Sequence, residues 1–194
     1  MWKLTWMKLD IAISAVRLWS DFIIQKENDK MSVVAVKIYD KEIIMSADSI
    51  IIRGDDKTPI GRGKIFEVNG MLIGFCGLAS EGVHMTLFAE NHTPLSMDDR
   101  ELTKYMYEFM TWRMKEFGAE KKLENHYLIA YKGKVFFCSG DYVGEVNDYF
   151  AIGAGERYAT AALYLGHSPA EAVKVACALS CYVDEPIITK SIPK

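Results

Sequence analysis

The side chains with chemistry to offer are few and scattered. Ser32 opens an apolar run, and a hydroxyl becomes a nucleophile once a base takes its proton, so it reads either as a nucleophile or as an ordinary strand-opening serine. Lys64 stands before Ile65-Phe66, as a functional ammonium or a solvated strand lysine, and Gly77 ends an apolar segment. Four thiols occur, Cys76, Cys138, Cys177 and Cys181, none in a CxxC pair. Cys177 and Cys181 lie one helical turn apart, but no histidine follows at ligand spacing, so no metal or cofactor is expected. His84, His92, His126 and His167 are scattered and read as surface or packing residues. Arg53-Gly54-Asp55 matches an adhesion tripeptide of a kind common by chance, and is discounted.

Around these residues the hydrophobic pattern defines the elements. Val34, Val36 and Ile38 alternate with Ala35 and Lys37, a strand; Tyr39-Asp40-Lys41 turns it, and Ile43 to Ala47 returns. Ile50 to Ile52 continues extended before a loop at Arg53 to Asp56. Lys64 to Val68 and Met71 to Phe75 make a second hairpin about Asn69-Gly70, a strong turn dipeptide. Ser80 to Glu90 reads as a helix. A longer helix follows, with Ser96 and Asp99 resembling a capping box and Gly118 closing it. Its stripe from Tyr105 to Phe117 suits a core or a subunit interface. His126 to Tyr131 and Val135 to Cys138 form a third hairpin, followed by a short strand, Tyr149 to Ile152. Glu156 to Leu165 and Ser168 to Tyr182 are helices, the second capped by Ser168-Pro169-Ala170-Glu171. Strand runs alternating with helix pairs predict two packed sheets with helices outside.

Composition bounds the function classes. At 194 residues the chain holds one main domain with a full core, and 50% hydrophobic residues excludes a disordered protein. A net charge of −3 argues against a nucleic-acid partner. No uncharged apolar run reaches the ~18 residues of a membrane span, so no membrane partner is expected. Unpaired thiols without a secretory signal predict a reducing, cytoplasmic setting. Residues 1–30 differ in character: Met1 to Gln25 carries three tryptophans and an amphipathic pattern, and Lys26 to Lys30 is a charged break.

From Met31 onward the sequence resembles the proteasome β-subunit and bacterial HslV peptidase family. The matching strings are Ser32-Val33-Val34-Ala35-Val36-Lys37, Ser46-Ala47-Asp48-Ser49, Gly63-Lys64-Ile65-Phe66, Gly74-Phe75-Cys76-Gly77 and Ala151-Ile152-Gly153-Ala154-Gly155 before Arg157-Tyr158-Ala159-Thr160-Ala161. Their order and spacing carry the resemblance, which covers Ser32 to Val183. Asp48 and Lys64 stand sixteen residues apart, the separation typical of that family's catalytic pair.

The resemblance implies an α+β, four-layer αββα sandwich of the N-terminal-nucleophile (Ntn) hydrolase type. It implies stacked rings of identical subunits, polypeptide substrates and an ATP-driven unfoldase as partner. Ser32 would attack the peptide carbonyl, with its own freed α-amine as base, near pKa 7.7–8.0 by its ordinary range. Lys64 would lower the nucleophile's proton affinity, Asp48 would orient that lysine, and the Gly77 N–H would donate to the oxyanion. The chain departs from the family in three places. Met31 or Ser32 stands where threonine is usual, Ala154 replaces a supporting serine, and Leu179 aligns with a supporting aspartate.

Two further readings compete with a peptidase: a ring subunit that keeps the fold without the chemistry, as proteasome α-subunits do, and an Ntn hydrolase of small amides. Residues 1–30 lack the tyrosine-rich, glycine-containing opening of an α-subunit. They are expected to be a propeptide or an over-extended gene start, leaving 31–194 as the domain. Met31-Ser32 suits removal of an initiator methionine, and Lys26-Glu27 can be encoded by a ribosome-binding sequence with Asn28-Asp29-Lys30 as spacer.

Overall fold

The computed structural model describes residues 31–53, 56–59 and 63–194. The amphipathic pattern of Met1 to Gln25 and most of the Arg53-Gly54-Asp55 tripeptide lie outside these residues. Eleven strands and four helices are described: β1 (Val34–Ile38), β2 (Glu42–Asp48), β3 (Ile50–Arg53), β4 (Asp56–Pro59), β5 (Ile65–Val68), β6 (Met71–Cys76), α1 (Ala79–Ala89), α2 (Asp99–Phe117), β7 (His126–Tyr131), β8 (Lys134–Ser139), β9 (Tyr142–Val146), β10 (Tyr149–Ile152), α3 (Glu156–Tyr164), α4 (Pro169–Leu179) and β11 (Ile187–Pro193). One antiparallel sheet runs β10-β1-β2-β11 and a second runs β5-β6-β7-β8-β9, while β3 and β4 form a separate hairpin.

Strand alternation decides what each face buries. On β1, Val34 and Val36 enter a core shared with Leu72, Leu128, Ala130 and Val135 of the other sheet, while Val33 and Ala35 face Ala159, Val173 and Ala176 of α3 and α4. On β6 and β7, Met71, Ile73, Tyr127 and Ile129 turn outward onto Phe88, Leu102 and Phe109 of α1 and α2. Both sheets are therefore buried on both faces, which explains the continuous apolar run of β6. Gly74 sits at a close approach of the two sheets: a Cβ there would lie 2.5 Å from the Met45 sulfur and 2.7 Å from Val34 Cγ1.

Local signals act largely as expected. The Asn69-Gly70 and Lys132-Gly133 turns take positive φ at both residues, 49° and 75°, and 47° and 78°, as a two-residue hairpin matched to strand twist requires. Ser168 and Glu171 close a reciprocal capping box on α4. Some expectations need correction. Asp98, not Ser96, caps α2: its carboxylate accepts the Glu101 N–H at 2.9 Å, and Ser96 instead donates to Asp98 at 2.5 Å. The third hairpin gains a strand, β9, and two further strands, β4 and β11, fall in segments not read as strands. Helix α4 ends at Leu179, three residues earlier than expected. Among the described residues, no helix is long and apolar enough to cross a membrane.

Candidate active site

The centre of the site is the carboxylate of Asp48, at the end of β2 and fully buried. Pairing of Val34 with Ala47 brings Val33 beside it, and the Val33 N–H donates to Asp48 Oδ1 at 2.8 Å. Its other oxygen accepts from Lys64 Nζ at 2.5 Å. Lys64 precedes β5 and is 5% exposed. One buried carboxylate thus ties the residue after Ser32 to the lysine that opens the second sheet. Burial pushes the Asp48 carboxyl above its ordinary range, while the Lys64 ammonium and the Val33 and Ile50 N–H groups pull it back.

Ser32 is 3% exposed, and its hydroxyl donates to the Met31 carbonyl. In the chain with Met31 attached, the Ser32 nitrogen is an amide and cannot serve as a base. The Ser32 carbonyl accepts the Gly155 N–H at 3.2 Å, which seats the start of β1 against the Gly153-Ala154-Gly155 turn. A Cβ on Gly153, at φ 97°, would come within 2.3 Å of that carbonyl oxygen and 2.8 Å of Cys76 Sγ. Only glycine allows so close an approach. Gly77 follows Cys76 immediately, at φ 129°. Of the four residues singled out in the sequence, Asp48 and Lys64 pair directly, Ser32 is joined to them through the Val33 N–H, and Gly77 follows Cys76, whose sulfur lies beside Gly153.

Beside this turn lies a cleft of about 360 Å³, lined by Ala154, Leu179, Ser180, Tyr182 and His126 among others. Two of the three positions at which the sequence departs from the pattern it resembles, Ala154 and Leu179, line this same cleft and bring only apolar side chains to it. The cysteines are free. Burial drives the Cys76 thiol far above its ordinary value, raises Cys138 to about 12 and raises Cys177 to about 11. None of these three is a ready thiolate.

Sequence reasoning missed a polar cluster behind Gly77. Asn125, 1% exposed, bonds both backbone groups of Leu78, and Glu81, fully buried, bonds Asn125 and Arg113. The signal for it was an acid and an arginine placed among apolar helix positions.

No protein-family model matches this chain, and neither does any curated protein sequence. Solved structures do match in shape. BPH from Thiobacillus denitrificans, solved in complex with epoxomicin, superposes with a TM-score of 0.75 at 18% identity, covering 83% of this chain and 98% of that one. Eukaryotic HslV from Trypanosoma brucei gives 0.65 at 15% identity over 84% of this chain and 99% of that one. Anbu, an ancestral beta-subunit from Yersinia bercovieri, gives 0.62 at 13% identity over 83% and 81%. All three are proteasome-type Ntn-hydrolase structures. The chain has the fold of that class, the one its sequence resembles.

Proposed function

We propose that this chain is a subunit of a self-compartmentalising peptidase, a four-layer αββα sandwich that works with Ser32 as an N-terminal nucleophile. The observation that carries the proposal is the Asp48 carboxylate, held between the Val33 N–H and Lys64 Nζ. A buried ion pair whose carboxylate also grips the backbone beside a hydroxyl is what a lysine-assisted nucleophile needs. The working polypeptide begins at Ser32, by cleavage of a propeptide or by a start at Met31. Its α-amine takes the Ser32 hydroxyl proton as Oγ attacks the substrate carbonyl, and returns it to the leaving amine as the peptide C–N bond breaks. Water then hydrolyses the acyl ester by the same route. The Lys64 ammonium favours the alkoxide character of Oγ, Asp48 fixes that ammonium, and the Gly77 N–H receives the oxyanion. Polypeptide substrates, stacked rings of identical subunits, an ATP-driven unfoldase and a cytoplasmic location complete this reading.

The second reading, a non-catalytic ring subunit, is favoured by one observation: the Ala154 and Leu179 side chains bring no polar group to the cleft beside the Gly153 turn. Three measurements on the expressed full chain separate the two. Mass spectrometry reads the N-terminus, light scattering reads the assembly, and fluorogenic peptides read turnover. The peptidase reading expects Ser32 at the N-terminus, ring-sized particles, and loss of turnover in Lys64→Ala with assembly retained. Epoxomicin, found bound to the Thiobacillus protein, should add its mass to the peptide that starts at Ser32. Peptides such as Leu18 to Lys26 in active assembled protein, a strictly monomeric mass, or unchanged turnover in Lys64→Ala would each overturn it.

A further inference from the structure

A glycine N–H can receive an oxyanion only if its direction is fixed, and Gly77 has no side chain to fix it. On one side Cys76 is held by the β6–β7 ladder, where it pairs with His126. On the other side the holding group is the Asn125 side chain. The Leu78 N–H donates to Asn125 Oδ1 at 2.5 Å, and Asn125 Nδ2 donates to the Leu78 carbonyl at 2.9 Å. Asn125 Oδ1 also lies 2.2 Å from where a Cβ on Gly77 would stand, so the amide fills the space over that residue.

Asn125 is itself anchored. Its backbone N–H donates to Glu81 Oε1 at 3.1 Å, and the Tyr127 hydroxyl donates to the same oxygen at 3.0 Å. Glu81 Oε2 accepts from Arg113 Nη1 at 2.9 Å and from the Glu124 N–H at 3.0 Å. Arg113 also donates to the Lys122 carbonyl at 3.3 Å. A buried carboxylate with four donors, one of them a guanidinium, is held rigidly. Its hydrogen bonds fix the backbone of Asn125, whose amide ends on the residue after Gly77.

We propose that Asn125, held by Glu81, is the positioning residue that aims the Gly77 N–H at the oxyanion. This rests on the peptidase reading. Misaligning a catalytic donor by about 1 Å can cost about 10²-fold, comparable to losing an oxyanion donor outright. The test uses the expressed full chain, with its mature N-terminus read first, and N-blocked tripeptide aminomethylcoumarins as substrates. Asn125→Ala should lower kcat about 10²-fold with KM within about twofold and an unchanged assembly mass. Asn125→Asp can still accept from the Leu78 N–H but can donate to its carbonyl only when protonated. Its kcat, divided by that of the wild type at each pH, should rise as pH falls from 8 to 6. A merely structural contact would leave that ratio flat. Wild-type protein that turns over none of these peptides would remove the peptidase reading, and this proposal with it. Active wild type with a flat Asn125→Asp ratio, or an Asn125→Ala loss confined to KM, would overturn the positioning role alone. If Asn125→Ala fails to assemble, the Asn125→Asp ratio decides.

Discussion

Replacing Asp48 by asparagine tests the centre of the site without reference to substrate. Asparagine keeps the volume and can still accept the Val33 N–H, but it leaves the Lys64 ammonium without its counter-charge. The side chains of this pair are 7% and 0% exposed, so water cannot step in. Removing one partner of a buried pair costs about 3–5 kcal/mol. At about 2–4 °C per kcal/mol for a domain of this size, the melting temperature should fall by about 6–20 °C. Lys64→Met leaves the opposite orphan, a carboxylate that burial already pushes toward its neutral form. An acid whose folded pKa is raised is stable below its unfolded value and loses stability as pH rises through the folded one. The Lys64→Met protein should therefore be weakest near neutrality and recover as pH falls toward 4. The double variant Asp48→Asn/Lys64→Met removes both charges and should lie closer to wild type than Asp48→Asn does, a coupling of about 2–3 kcal/mol. Differential scanning calorimetry at one fixed protein concentration reads all four proteins, since subunit association also moves the transition. An Asp48→Asn change within about 1 kcal/mol of wild type, or strictly additive singles, would refute the buried ion pair.

Gly74→Ala should destabilise by about 1–3 kcal/mol in urea titration, because its Cβ would meet Met45 and Val34 across the sheet seam. Ser168→Ala should cost about 1 kcal/mol by the same assay through loss of the α4 cap, with no change in the α2 region by hydrogen exchange. The His84 ring stacks on Phe117 at 3.8 Å, and burial, then Arg113, lowers its pKa. A base with a depressed folded pKa loses stability as pH falls from its unfolded value to its folded one. Thermal stability should therefore drop below about pH 6.5, and His84→Gln should reduce that drop.

How far the sequence revealed this molecule depends on how local each cause was. Strand Val34–Ile38 was readable from its alternation and strand Met71–Cys76 from the Asn69-Gly70 turn before it, because both signals act within a few residues. Strand β4, Asp-Lys-Thr-Pro, is exposed throughout and has no apolar period to show. Strand β9 is interrupted by Gly144, and β11 is set by pairing with the distant β2. Helix α4 stops before Ser180 without glycine or proline at its end, so nothing local marked the boundary. At the site, the spacing of Asp48 and Lys64 carried the likeness to the family. The bond from Asn125 to Leu78 spans 47 residues of chain and left no pattern to read.

The pairing order of the first sheet also sets a schedule. Strand β1, which starts two residues after Ser32, lies between β2 and β10, with Val34 opposite Ile152, and β2 is completed on its far side by β11, with Asp48 opposite Ile187. A chain still being synthesised carries Ser32, Asp48 and Lys64 early but lacks the strands that flank them until late. Non-local pairing of this kind forms slowly and only when both partners exist. The surroundings of Ser32 and Asp48 are thus finished among the last events of folding, after the strands at the far end of the chain have been made.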